Sequence, residues 1–196
     1  WLIDVPIDFL LSRCNKIYLV DIKHPNQIKH KFRNNKKVVF IEKDLNGDLL
    51  QQLNSKMKFL NKAVKFPLNE ILTSGFSDDG FSDADFLISV NLLSQLSHPI
   101  SDFLSKYKLF TEEELSDLTK RNQQSHINCL MKKQSIIISD FEEKRIDKNG
   151  DCSVHPIVLA ELPKGKTECQ WEWLFDNTFN YYIDKNVIMR VIAKSY

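Results

Sequence analysis

Three carboxylates and one amide stand just past short apolar runs, and these are the side chains best placed to do chemistry. Asp21 ends Ile17-Tyr-Leu-Val, Asp44 follows Val38-Val-Phe-Ile-Glu-Lys, Asn91 follows Phe86-Leu-Ile-Ser-Val, and Asp140 ends Ser135-Ile-Ile-Ile-Ser. In open α/β sheets, ligands bind beyond the carboxyl ends of the strands. A carboxylate there, beside a nucleotide, can accept hydrogen bonds from both hydroxyls of a ribose, because it offers two oxygens and no donor. Asp21 fits that role, and its alternative role is a cap on the segment that follows.

Other chemistries find less support. The four cysteines (Cys14, Cys129, Cys152, Cys169) form no C-x-x-C pair, which argues against a zinc ribbon or a disulfide scaffold and for a reduced, cytoplasmic protein. The five glycines include no G-x-G, so a phosphate loop built on clustered glycines is absent from the sequence. His24 and His30 lack a third metal ligand nearby and read as surface residues, so no metal is expected. His126, three residues before Cys129 on a helix, reads as a core or rim histidine. His155 lies in an irregular stretch and receives no role.

The elements that must position these residues follow from periodicity. A helix is expected at about 4–13, where Asp4 and Pro6 precede an apolar face. Strands are expected at 17–21, 37–41, 86–90 and 135–139, each a continuous apolar run suited to burial on both faces. A short basic helix is expected at 25–34 and an amphipathic one at 48–62, with a loop over 65–83. The longest helix, 112–131, opens on Thr111 with Glu114 three residues later, the capping-box pattern. Residues 142–167 are polar and read as irregular. Trp171 to Phe175 and Val187 to Ala193 read as a terminal antiparallel pair, with Trp171 and Trp173 expected in the core. Helix and strand alternate, so the expected fold is α/β. It would be a Rossmann-like, mostly parallel sheet with helices on both faces and a closing antiparallel strand pair, in one domain spanning 1–196.

These segments together resemble the class I S-adenosylmethionine-dependent methyltransferases. Ile17–Asp21 resembles the family's second strand with its ribose acid, and Val38–Leu45 its third strand with the adenine-side acid. Asp85–Leu96 resembles the fourth strand, and Ser135–Asp140 the fifth. The closing pair resembles the family's antiparallel sixth and seventh strands. The resemblance implies S-adenosylmethionine as cofactor, with Asp21 on the ribose hydroxyls and Asp44 accepting from the adenine amino group. It also implies that the Leu45 backbone N–H donates to the ring and that Asn91 lies near the methionine portion. Asp44 serves equally well as a turn residue and Asn91 as a strand end. The implied activity is methyl transfer to an acceptor that the sequence does not identify. The alternatives are a non-catalytic domain of the same kind, kept for interaction, and an NAD-type dinucleotide-binding oxidoreductase.

The family's first strand and its glycine-rich loop are missing from the pattern. Trp1-Leu-Ile-Asp-Val-Pro resembles the residues just after that loop, so an amino-terminal truncation is expected.

Charge and hydropathy bound the partners. Lys plus Arg (27) against Asp plus Glu (26) leaves +1, which names no polyanion. The six Lys or Arg from Lys23 to Lys37, without an acid among them, read as a solvated surface, and nucleic acid is not expected. No apolar run approaches the roughly 20 residues of a membrane span.

Overall fold

The fold, taken from a computed structural model, is described for residues 5–46, 51–55, 80–106, 108, 110–178 and 180–196. The first two apolar runs pair in parallel as β1 (Ile17–Asp21) and β2 (Val38–Glu42), with Ile17 opposite Val38 and Asp21 opposite Glu42. One face of this two-stranded sheet is covered by α1 (Ile7–Arg13) and α2 (Asn26–Phe32). Ile7 and Phe32 are buried there against Ile17 and Leu19, flanked by Val38 and Phe40. The helix expected at about 4–13 spans 7–13, and residues 1–4 lie outside the described residues. The described part of the helix expected at 48–62, residues 51–55, is helical with Leu53 fully buried. The rest of that expectation, and residues 65–79 of the expected loop, lie outside the described residues.

The second sheet has five strands: β3 (Phe86–Val90), β4 (Gln134–Asp147), β5 (Cys152–Pro156), β6 (Thr167–Asp176) and β7 (Lys185–Ser195). Their order is β3-β4-β7-β6, and β5 pairs with the far half of β4. Between β3 and β4 comes α3 (Leu92–Gln95), then α4 (His98–Ser105) and α5 (Glu112–Leu130). The capping box at Thr111 is present: Glu114 N donates to Thr111 Oγ1 at 3.2 Å, and Thr111 N donates to Glu114 Oε2 at 2.8 Å. Ile127 and Leu130 of α5 meet Ile137 of β4, Leu93 and Ala160 in one buried cluster.

The expected Rossmann-like, mostly parallel sheet is not what forms. Only β1–β2 and β3–β4 are parallel; β4–β5, β4–β7 and β6–β7 are antiparallel, so the chain is a mixed α/β fold with two separate sheets. The physical reason lies in residues 140–156. A strand wet on one side alternates apolar with polar residues rather than running apolar. Phe141-Glu-Glu-Lys-Arg-Ile146 therefore reads as polar, yet its charges pair within and across strands: Arg190 with Glu142, and Arg145 with Glu143. β4 consequently runs on to Asp147 and turns through Asn149-Gly150 into β5, with Asp147 Oδ1 accepting from Asn149 N and Asp151 N at 2.8 and 2.9 Å. An Asn-Gly between two extended runs is a hairpin signal.

The terminal antiparallel pair expected from the sequence is present as β6 and β7, with Trp171 opposite Val191 and Trp173 opposite Met189. Trp171 and Trp173 are not core residues, however: they are 43% and 41% exposed. β6 is an edge strand, so its side chains have neighbours on one flank only. Trp173 instead donates its indole N–H to Asp140 Oδ1 at 3.1 Å and meets Phe175 edge-on at 5.3 Å. At the opposite end, β1 and β3 each have one strand partner among the described residues. Among those residues no helix is long and apolar enough to cross a membrane.

Candidate functional site

Parallel pairing brings the carboxyl ends of β1 and β2 side by side. Asp21 is exposed; its backbone C=O accepts from Lys43 N at 2.9 Å, and its carboxylate has no hydrogen-bond partner among the described residues. Its register neighbour Glu42 is committed: Oε1 accepts from His24 N at 2.9 Å and from Lys29 Nζ at 2.6 Å. The Lys29 bond, then that from His24 N–H, holds the Glu42 carboxyl below the usual range. His24 is not on the surface as its polar neighbours suggest. It is 1% exposed, with Nε2 3.1 Å from Ile41 O and its ring edge-on to Phe40 at 5.0 Å. Together Glu42, His24 and Lys29 lock the turn from β1 into α2 and leave the Asp21 carboxylate unengaged among the described residues.

Beyond β2, Asp44 Oδ1 accepts from Asn46 N at 2.8 Å, an Asx turn that occupies one of its two oxygens. Leu45 is buried. Asn46, which no local pattern singles out, ties this loop to the second sheet. Its Nδ2 donates to Leu96 O at 2.9 Å, and its Oδ1 accepts at 3.0 Å from Asn122 Nδ2, which also reaches Ser97 Oγ at 3.2 Å. The ends of β2 and β3 are thereby held on one side of the molecule.

Asn91 stands where β3 turns into α3. Its φ of 52° and ψ of 7° are left-handed, a conformation that Asn tolerates better than most side chains. Its N–H donates to Ile138 O at 2.8 Å, and its C=O accepts from Ser94 Oγ at 3.0 Å. Its Oδ1 is buried without a hydrogen-bond partner among the described residues. An unpaired buried amide oxygen costs about 1–3 kcal/mol.

Two buried polar groups on α5 hold this end in shape. Gln123 is fully satisfied: Nε2 donates to Leu93 O (3.3 Å) and Ile157 O (2.9 Å), while Oε1 accepts from Leu159 N (2.7 Å) and Ala160 N (3.1 Å). His126, a core histidine as its place in the sequence suggests, lies 2.8 Å from Ser89 Oγ through Nε2, and burial lowers its pKa to about 4. That imidazole is neutral at pH 7 and is enclosed with a serine 4% exposed, so the pair braces β3 rather than meeting a substrate. His155, on β5, is 3.0 Å from Ser153 Oγ. Asp140 sits at the register shift of β4, engaged by Trp173.

Of the residues singled out by sequence, Asp21, Asp44 and Leu45 thus lie past one pair of strand ends and Asn91 past the other, with Asn46 joining them. No family model, curated protein or solved structure matches the chain. Any functional reading therefore rests on its own residues.

Proposed function

We propose that this protein binds S-adenosylmethionine at the carboxyl ends of β1, β2 and β3 and catalyses methyl transfer to an acceptor nucleophile. The observation that carries the reading is Asp21, an exposed carboxylate without a partner among the described residues, beside a Glu42 already spoken for.

The side chains fit such a ligand. Asp21 would hold the two ribose hydroxyls, and the Asp44 oxygen not used in the Asx turn would accept from the adenine amino group. The Leu45 N–H would donate to the ring. The Asn91 Oδ1 would supply an acceptor near the methionine portion, whose ammonium is a donor. S-adenosylmethionine would supply a methyl group on a sulfonium, which a nucleophilic O, N, C or S attacks in line. The chain's part is to align the reactants and exclude water, and such transfer needs no strong base.

The test is substitution at Asp21. A strand-end carboxylate in solvent buries little, so Asp21→Ala should cost the fold under about 1 kcal/mol. Losing an acceptor for two hydroxyls should cost about 1.5–3 kcal/mol of binding, roughly 10- to 150-fold in affinity for S-adenosylhomocysteine. Asp21→Asn keeps one acceptor oxygen and should lose less. Wild-type affinity in both variants would remove the residue on which the reading stands.

A further inference from the structure

The segment that forms the first sheet carries a one-sided charge, shared between its two ends. Between Arg13 and Lys43 there are nine Lys or Arg and two carboxylates, whereas the remaining residues carry 18 against 24. The fold gathers much of this excess at the amino ends of the parallel strands. Ile17 N donates to Lys37 O at 2.7 Å and Lys37 Nζ reaches Leu11 O at 2.9 Å, which sets Lys16, Lys36 and Lys37 side by side, with Arg33 one turn away at the end of α2. Lys16 Nζ lies 3.4 Å from Asp83, and the ammonium of Lys133 caps the Ser82 and Ala84 carbonyls, the latter at 2.7 Å. The rim therefore continues from the first sheet to Lys132 and Lys133 at the start of β4. Asp83 and Asp85 are the carboxylates on it among the described residues.

Sequence alone shows only the run from Lys23 to Lys37, without an aromatic in reach except the buried Phe32. The structure adds one. Phe9 on α1 is 59% exposed, with the Arg13 guanidinium 5.6 Å from its ring centroid. A row of cations tracks a phosphate backbone, and an exposed aromatic ring offers a base a stacking face. Exposed Lys36 and Lys132 have no ion-pair partner among the described residues, so their charge is available to a ligand.

We infer that this rim is a binding surface for single-stranded nucleic acid, its phosphates on the Lys16–Lys36–Lys37–Lys132 arc and a base on Phe9. The inference is independent of methyl transfer, since it uses none of the residues at the strand carboxyl ends.

The test is anisotropy of a fluorescently labelled, mixed-sequence 20-nucleotide single-stranded RNA, titrated with the intact protein between about 50 and 200 mM KCl. Neutralising four to six phosphates gives a slope of log affinity on log salt of about −3 to −4. Arg33→Glu/Lys36→Glu and, independently, Lys36→Glu/Lys132→Glu should each weaken binding roughly tenfold or more and flatten the slope by about 1.4. Phe9→Ala should weaken it about 5- to 150-fold with the slope unchanged. Circular dichroism reports whether each variant folds, and the two double variants are read separately, so misfolding of one leaves the other decisive. Wild-type affinity in a folded double variant would overturn the inference, as would binding weaker than about 0.1 mM at the lowest salt. Capture by phosphatidylserine vesicles without RNA binding would overturn it too.

Discussion

Asn91 is the residue where backbone, burial and chemistry meet. A non-glycine side chain in left-handed space costs about 1–2 kcal/mol, less for Asn because its amide bonds locally. Here the amide oxygen makes no such bond among the described residues, so the conformation is kept by its surroundings: the Asn91–Ile138 bond and the entry to α3. Replacement by glycine should relieve both the strain and the vacancy, and replacement by alanine only the vacancy. Asn91→Ala should therefore unfold at lower denaturant than Asn91→Gly, by about 1–2 kcal/mol. Equal stabilities would mean the left-handed conformation is not imposed. His126 gives a pH signature. Its pKa is about 4 in the fold against 6.5 when free, so the unfolded chain binds the proton first. Stability is then full above pH 6.5 and falls as pH drops toward about 4, by about 3 kcal/mol across the window. His126→Gln should flatten that fall in denaturant titrations at pH 4.5 and 7. An unchanged pH slope would show that His126 is not the group responsible. None of the tertiary polar partners, Asn46, Gln123 or the His24–Glu42 pair, was legible in sequence. Their bonds span from 18 to 76 residues of chain and leave no local pattern.

At the scale of elements, the strands that read most clearly are those with continuous apolar runs. Residues 17–21, 86–90 and 135–139 are strands as expected, and the strand expected at 37–41 spans 38–42. Their expected burial on both faces is not general: Phe86 and Ile88 of β3 are 44% and 42% exposed. The capping box fixed the start of α5 for an equally local reason. The far half of β4 and the whole of β5 left no such run: Glu142 and Glu143 of β4 are held by Arg190 across the ladder and by Arg145 on the same strand, and β5 is a short polar strand. The turn joining them depends on Gly150 at φ 89°, with open space where a Cβ would stand. Gly150→Ala therefore isolates the conformational cost and should destabilise the fold by about 1–2 kcal/mol in chemical denaturation. A neutral result would mean that the hairpin relaxes to another turn.

For the molecule as a whole, the two sheets divide the labour. The β1–β2 unit carries the exposed carboxylate Asp21, unpartnered among the described residues, and an excess of positive over negative charge, while the five-stranded sheet carries the buried core under α5 and the strained Asn91. Asn46 and the Lys16–Asp83 pair join them at opposite ends. The expectation of one mostly parallel sheet failed because alternation of helix and strand says which elements exist and not how the last strands pair. The β4–β7 and β6–β7 ladders run antiparallel across the greater part of the second sheet. Methyl transfer as proposed depends less on that pairing than on Asp21 and Asn91 Oδ1, acceptors with no hydrogen-bond partner among the described residues. Its most direct test is calorimetric titration of the protein with S-adenosylhomocysteine and, separately, with NAD. Micromolar binding of S-adenosylhomocysteine and no heat from NAD are expected; binding of NAD with no response to S-adenosylhomocysteine would rule out the methyl-transfer reading.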